Sequence, residues 1–274
     1  MESASRSASS RREAALGLFR SIAFALLVVA IPVTLVATNI RFAASEVRVY
    51  DYSVREYNAA AAARIPESEL IRANHELVSY FTADDPGPLH IVVTNTNGEE
   101  EALFNARETA HLADVRDLFQ GLFTVQVLAL ALTLSLVVAL FATSPLRLLA
   151  RALLYGSLLT MALVGTTGAL AYLGFDSAWR QFHFLAFTND FWQLDPASDH
   201  LIQMFPRDFW FDITLLIGAF TLLEALLIGG ATGLHLYLAQ PGEEGEERQP
   251  RVAERRPVEP RPHIPPPRPR HLTH

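Results

Sequence analysis

Two histidines with polar neighbours are the residues of this sequence best suited to acid–base chemistry. His111 lies in ETAHLADV, where Glu108 and Asp114 stand three residues before and after it and share one helix face with it. His183 is the second residue of FHFLAFTNDFWQLDP. A carboxylate beside an imidazole orients its tautomer and raises its basicity, as a general base requires. The pattern predicts a catalytic pair, His111 and His183, with Glu108 and Asp114 as residues that orient His111.

The polar residues after His183 are open to two interpretations. Asn189 and Asp190 follow it closely in the sequence and are predicted to support its imidazole. Asp195 and Asp199, in LDPASDHLIQMF, are better explained as turn and helix-cap residues. Each histidine taken alone is also explained as an interfacial residue with a water or carboxylate partner. The catalytic interpretation therefore depends on the combination.

A metal centre is the main chemical alternative. Glu108-x-x-His111 has the spacing used in helical di-metal sites, and His183 with Asp190 would complete a ligand shell. Such sites need the motif twice, whereas it occurs once here, and HExxH is absent. The lack of cysteine excludes thiolate ligands, disulfides and a cysteine nucleophile. The sequence contains no GxSxG elbow of the kind that would indicate a serine nucleophile. We therefore predict no metal at this site.

Four apolar blocks must position these residues, and they occupy 18–40, 121–143, 152–173 and 211–238. Crossing a bilayer takes roughly 20 mostly apolar residues, and a buried helix of a soluble protein is rarely apolar on every face. We predict four transmembrane helices. The first block is alternatively a cleavable signal sequence, but its apolar run is longer than a usual signal core, which favours an uncleaved anchor.

Arginines indicate the orientation of these spans. They lie before the first span, in the turn 144–151 between the second and third, and after the fourth. The positive-inside rule makes both termini and that turn cytoplasmic. The segments 41–120 and 174–210 are then extracytoplasmic. The net charge of −7, without a continuous basic face, argues against nucleic-acid binding.

The segment 41–120 is long enough for a small extracytoplasmic α/β domain. PESELIRANHELVSYF has helical apolar spacing, and HIVVTNTNGEEEALF predicts two short strands joined at Asn97-Gly98. NARETAHLADVRDLFQ predicts a helix that continues into the second span. The ends of the chain, 1–17 and 239–274, are polar or proline-rich and are predicted to be disordered. The predicted fold class is an α-helical integral membrane protein with four transmembrane helices and this α/β domain between spans 1 and 2.

The segment 174–210 is an aromatic loop that contains all three tryptophans of the chain. Aromatic density of this kind marks the membrane–water interface. Phe175, Trp179, Phe182 and Ala186 fall at helical spacing, which predicts a short helix along the outer surface. The second histidine motif is therefore predicted to lie at the lipid–water boundary.

Both histidine motifs resemble those of a known family. ETAHLADV, followed 72 residues after its histidine by FHFLAFTNDFWQLDP and then LIQMFPRDFW, is similar to the bacterial lipoprotein intramolecular transacylases (Lit-type), which are four-span integral membrane proteins of the bacterial cytoplasmic membrane. The resemblance covers roughly residues 18–238. It implies an acyltransferase that moves the sn-2 acyl chain of a diacylated lipoprotein to the α-amine of its N-terminal cysteine, giving the lyso-form. It also implies membrane lipid and a lipoprotein as partners, an active site on the extracytoplasmic face, and no cofactor.

By this resemblance the two family histidines map onto His111 and His183. One hypothesis is that His183 takes the amine proton, while His111 stabilises the oxyanion or protonates the leaving alkoxide; the roles could be reversed. Asn189 is a candidate oxyanion donor. Three aromatic residues are candidates for a substrate cradle or are plain interfacial residues: Trp179, Phe187 and Trp192. Two other functions remain open, namely a non-catalytic envelope scaffold or sensor and a membrane hydrolase of another ester or amide.

Overall fold

A computed structural model describes the backbone of residues 2–239 and the side chains of residues 11–239. The elements follow one another in this order: α1 (Glu2–Ser45), α2 (Val47–Glu56), α3 (Ala59–Ala63), α4 (Glu67–Thr82), β1 (Val92–Thr94), β2 (Glu100–Ala102), α5 (Ala106–Thr143), α6 (Leu146–Leu173), α7 (Phe175–Ala186), α8 (His200–Met204) and α9 (Arg207–Leu238). Within this part of the chain, four helices are long and apolar enough to cross a membrane: α1, α5, α6 and α9. Each predicted span lies inside one of them.

Close helix packing holds the four long helices together. α1 packs against α5 and α6, and α6 packs against α9. Gly156 of α6 faces Ile31 of α1 so closely that an added Cβ would lie 3.0 Å from the Ile31 Cβ. Gly229 of α9 similarly faces Ser157 of α6. Small residues at such crossings let helix backbones approach, and the resulting van der Waals packing favours helix association in lipid.

A polar contact also links α1 to α9 inside the bundle. The Asn39 amide nitrogen donates to the Glu224 carboxylate at 2.8 Å and to the Thr221 hydroxyl at 3.2 Å. A polar group among apolar helices is costly unless it finds a partner on a neighbouring helix. Glu224, which has no assigned role in the sequence, is thus part of a helix–helix contact.

Of the two ends predicted to be disordered, only the first lies largely within the described residues. Helix α1 begins at Glu2, so the structure differs from the prediction of a disordered segment over 1–17. The four residues EAAL, at positions 13–16 shortly before the span, are good helix formers and favour continuation of the helix beyond the span. The predicted disordered tail, 239–274, lies outside the described residues apart from Ala239.

The segment between α1 and α5 forms a small domain, which we call the inter-span domain (residues 47–105). It is mainly helical, so the predicted α/β domain is only weakly represented, by one hairpin of two three-residue strands. Val93 of β1 lies opposite Glu101 of β2 in antiparallel register. Gly98 adopts φ 87°, which a glycine tolerates, at the predicted turn. Both end residues of β2 are exposed.

One hydrophobic core joins the inter-span domain to the aromatic loop. On the domain side, α4 buries the apolar face that its spacing predicts, including Leu70, Leu77 and Phe81. Met204 of α8 and Phe209 of α9 are fully buried in the same cluster. The end of the aromatic loop is therefore packed into the inter-span domain, and α7 and the start of α5 lie at the same end of the bundle.

Candidate active site

His111 is positioned by the start of α5. Asn105 caps this helix, and its side chain accepts hydrogen bonds from the backbone N–H groups of Arg107 and Glu108. In turn, one Glu108 carboxylate oxygen accepts a hydrogen bond from the Asn105 backbone N–H at 2.8 Å, which completes a capping box. His111 follows on the first turns of this fixed helix and is only 7% exposed.

The sequence predicts that Glu108 orients His111, whereas in the structure its carboxylate binds other groups. Its second carboxylate oxygen accepts the backbone N–H of Leu201 at 2.6 Å, and its side chain is 1% exposed. Both oxygens are thus used by backbone donors, at the starts of α5 and α8. The structure shows Glu108 fastening these two elements together, rather than bonding to the His111 ring, because the docking of α8 brings a free N–H to the helix face that carries Glu108.

His183 is positioned by α7, whose amphipathic pattern buries Phe175 and His183. The His183 Nδ1 atom lies 2.7 Å from the backbone carbonyl oxygen of Trp179. Because a carbonyl can only accept, Nδ1 carries the proton in this contact. In the neutral ring the lone pair then belongs to Nε2. The local helix therefore fixes the tautomer that a general base needs.

The two histidines meet at one place. Their ring centroids are 6.1 Å apart, with an angle of 35° between the planes, and both side chains are 7% exposed. The Phe187 ring lies edge-on to His111 at 5.0 Å and 5.6 Å from His183. Trp179 and Trp192 lie 4.8 Å and 4.9 Å from the His183 ring. All three predicted cradle residues thus surround the histidine pair.

Burial controls the charge of His183. Its removal from water lowers the pKa of the imidazole, and the hydrogen bond to the Trp179 carbonyl acts in the opposite direction without reversing the shift. The ring is therefore neutral near pH 7. A neutral imidazole with a free Nε2 is able to accept a proton.

The other predicted supporting residues lie one step further out. Asp114 accepts a hydrogen bond from the Asn189 amide nitrogen at 2.8 Å, and the Asn189 oxygen accepts the Phe191 N–H. Asp190 is exposed and accepts from Gln193. Neither Asn189 nor Asp190 bonds to a histidine; they shape the loop that covers the pair. Asp114 remains near enough to His111 to act on it electrostatically.

The residues explained as turn and cap are found in such places. The Asp195 carboxylate accepts the Ala197 N–H, and Asp199 immediately precedes α8. Asp199 also accepts from the Asp195 N–H and from the Asn105 side chain. The loop is thus tied to the beginning of α5 as well as to α8. Within residues 11–239, no group of three or more histidine and acidic side chains is arranged to hold a metal ion.

An apolar cavity of about 180 Å³ adjoins both histidines. Its walls come from the inter-span domain, α5, α7, the aromatic loop and α9; besides His111 and His183 they include Tyr50, Leu77, Phe81, Leu112, Val115, Phe119, Trp179, Trp192, Leu194, Leu201, Ile202, Phe205, Arg207 and Trp210. Such a pocket, apolar with few polar groups, is typical of a site for an acyl chain or other apolar ligand.

Arg207 is a cavity residue that the sequence interpretation did not single out. Its guanidinium binds Asp176 at 2.7 Å and Asp208 at 2.9 Å, and it packs over the rings of Phe175 and Phe211. In the sequence, the feature that could have pointed to Arg207 is its position within the motif LIQMFPRDFW. The structure explains that place, because Arg207 links the start of α7 to the start of α9.

Comparison with known proteins agrees with this arrangement. Residues 25–210 match the family described as lipoprotein intramolecular transacylase Lit. A structure of the membrane integral lipoprotein intramolecular transacylase Lit from Bacillus cereus superposes with a TM-score of 0.68 at 20% identity, covering 81% of this chain and 96% of that one. Structures of the same Bacillus cereus protein with a histidine-to-arginine and a histidine-to-alanine mutation both give 0.66 at 19% identity. They cover 84% and 81% of this chain and 97% and 96% of theirs.

These likenesses bear on the fold. They and the four apolar helices confirm the prediction of a mostly helical, multi-pass bacterial membrane protein. No curated protein sequence matches the chain.

Proposed function

We propose a specific reaction for this chain, which belongs to the lipoprotein intramolecular transacylase family. In this reaction the chain moves the sn-2 acyl group of a diacylated lipoprotein to the α-amine of the N-terminal cysteine. The family match shows an acyltransferase in a bacterial membrane. The acyl position and the amine acceptor are what the family resemblance implies, and the histidine chemistry is supported by the site. The observation that carries this chemistry is the pair of buried imidazoles, His111 and His183, 6.1 Å apart beside an apolar cavity.

The proposed reaction begins at the amine. An α-amine has a pKa near ~8, so near neutral pH only one proton has to be removed to make it nucleophilic. After that proton has left to solvent, the neutral amine nitrogen bonds to the sn-2 ester carbonyl carbon, and the His183 Nε2 lone pair takes a second proton from this nitrogen. The resulting tetrahedral intermediate carries its negative charge on the former carbonyl oxygen.

The intermediate then breaks its bond to the glycerol oxygen. His111 donates a hydrogen bond to that leaving oxygen, and the proton held by His183 passes to it. An amide forms, a glycerol hydroxyl is released, and both histidines end neutral. Positioned acid–base groups of this kind contribute roughly 10²–10⁴-fold in rate.

Tethering supplies the second contribution. Donor ester and acceptor amine belong to one molecule, and holding them in attack geometry is worth up to roughly 7–11 kcal/mol. The aromatic residues Trp179, Phe187 and Trp192 would hold the glycerol region between the histidines and the lipid. Asp114, through Asn189, would keep the covering loop in place. No step of this scheme needs a cofactor.

We place the reaction on the extracytoplasmic side of the membrane. The supporting observation is the distribution of arginine, which assigns both ends of the chain and the turn 144–151 to the cytoplasm. The histidine pair lies at the opposite end of the spans, with the inter-span domain. A glycerol backbone at headgroup depth would enter the site there.

Mass spectrometry of lipoprotein N-termini tests the proposal. Cells that express the chain should convert a diacyl lipoprotein to its lyso-form, and His111→Gln or His183→Gln should lower conversion by about 10²–10⁴-fold while the protein still inserts. His75→Gln, at an exposed position on α4, is the matched control and should retain activity.

The other outcomes identify the other functions. Release of free fatty acid without a new amide indicates hydrolysis. No change in the lipoprotein indicates a scaffold or sensor. Full activity in both histidine variants contradicts the proposed mechanism.

A further inference from the structure

Trp192 carries a buried hydrogen-bond donor without a partner. Its indole Nε1 is shielded from solvent and has no acceptor among the described residues. An indole N–H can only donate, and a buried donor without an acceptor loses the hydrogen bond that water would give it. His111 Nδ1 is likewise buried without a partner among residues 11–239. Both side chains line the same cavity, so unmet hydrogen bonds are concentrated beside it.

The unpaired state is not a general property of this aromatic cluster. Trp210 lines the same cavity, and its indole N–H donates to the Phe205 carbonyl at 3.1 Å. Trp192 differs because no backbone carbonyl of the loop receives its N–H. Because Trp192 lines the cavity, a group that enters the cavity is one source of an acceptor.

Trp192 lies near the histidine beside which negative charge would develop on the ester carbonyl oxygen. Its ring lies 4.9 Å from the His183 ring at an angle of 35°. The reacting carbonyl must lie beside the amine whose proton His183 accepts, and Trp192 is one of the rings that contact His183. We propose that the Trp192 indole N–H donates a hydrogen bond to the sn-2 ester carbonyl oxygen and stabilises the oxyanion of the tetrahedral intermediate.

Two alternative donors near the cavity are already partly engaged by carboxylates. Asn189, the oxyanion donor suggested by the sequence, gives its amide to Asp114 and accepts from the Phe191 N–H. Arg207 gives Nε to Asp176 and one terminal nitrogen to Asp208. The N–H of Trp192 is uncommitted, and a preorganised donor costs no rearrangement when charge develops.

This inference rests on the proposed acyl transfer, and it adds a catalytic residue to that transfer. The test uses the purified full chain and a synthetic S-diacylglyceryl-cysteinyl peptide whose conversion is followed by mass spectrometry. Trp192→Phe keeps an aromatic ring and removes the N–H. We expect kcat to fall about 10²-fold, as when one oxyanion donor is removed, with KM within threefold of the unmodified chain.

Two variants separate the donor from the packing. Trp192→His returns a ring N–H and should recover part of the lost kcat. Phe184→Leu removes the ring that packs edge-on against Trp192 at 5.2 Å and leaves the N–H in place, so its kcat should stay within threefold. Equal losses in Trp192→Phe and Phe184→Leu overturn the inference, as does a loss confined to KM.

A binding measurement on the unmodified chain covers the case in which Trp192→Phe does not fold. The probe is the same peptide with its α-amine acetylated and its sn-2 carbonyl labelled with carbon-13. Its infrared carbonyl band should move to lower frequency on binding, and a folded Trp192→Phe should lose that shift. An unshifted band, or a shift kept by the variant, overturns the inference.

The design also keeps the two proposals distinguishable. If the unmodified chain gives no lyso-product, the acyl transfer itself fails. If it gives product, and the histidine variants do not, but Trp192→Phe retains full kcat, only the role of Trp192 fails.

Discussion

Replacement of Glu108 tests whether this carboxylate fastens helices or directs catalysis. Glu108→Ala leaves the Leu201 N–H buried without an acceptor, which costs about 1–3 kcal/mol. It also removes a cap bond to the exposed Asn105, worth about 0.5–1 kcal/mol. The free energy of unfolding should therefore drop by about 1.5–4 kcal/mol. Glu108→Gln keeps one acceptor and should lose about 1–2 kcal/mol.

Thermal unfolding in detergent provides the measurement. The expected order of melting temperature is the unmodified chain, then Glu108→Gln, then Glu108→Ala. Glu67→Ala, an exposed acidic residue in the first turn of α4, is the control and should change the stability by less than about 1 kcal/mol.

Activity at a temperature where each variant is folded completes the test. Because both Glu108 oxygens bind backbone N–H groups, folded Glu108→Gln should keep its kcat within about tenfold, in contrast with the loss of roughly 10²–10⁴-fold expected for a catalytic group. A melting temperature equal to that of the unmodified chain, together with a kcat as low as that of His111→Gln, would contradict the fastening role of Glu108. That result would return Glu108 to the orienting role predicted from the sequence.

Two further predictions concern charge and packing. Because burial lowers the pKa of His183, the unfolded chain binds a proton that the folded chain does not; stability should fall as pH drops below about 6.5. His183→Gln should flatten this dependence in melting curves between pH 5 and 8, and identical slopes would contradict it. Gly156→Ala should cost about 1–3 kcal/mol by overpacking against Ile31, whereas Gly165→Ala, with open space around it, should be neutral or stabilising in the same melting assay; equal melting temperatures would argue against the packing explanation.

The sequence predicts elements well where one local signal dominates. Long apolar runs predict the four spanning helices, and helical spacing predicts α4 and α7. The Asn97-Gly98 pair predicts the hairpin because few residues other than glycine accept the φ of 87° found at Gly98. The continuous helix from NARETAHLADV into the second span is also confirmed, as α5.

Tertiary docking decides what local spacing cannot. Glu108 stands three residues from His111, which is enough to place both on one face but not to choose the partner of the carboxylate. The partner is the Leu201 N–H, 93 residues away, and it is present only because α8 packs into the core of the inter-span domain. In the same way Asp114 finds Asn189, 75 residues away.

The environment of the histidine pair favours transfer to an amine over hydrolysis. The cavity walls are almost entirely apolar, and the two rings are covered by Phe187 and Trp192. In the proposed reaction, water at the reacting carbon gains nothing from tethering. The substrate amine would be held there by the same molecule that supplies the ester, with an effective concentration that reaches roughly 10⁵–10⁸ M in well-oriented cases. His183 is neutral in these surroundings, and its Nε2 serves whichever nucleophile is closest. In the proposed reaction, the shape and apolar lining of the cavity, and not the imidazoles, would decide between aminolysis and hydrolysis. Trp192→Ala removes part of the cover over the histidine rings and should therefore admit water. The ratio of free fatty acid to lyso-product should rise, even as total turnover falls.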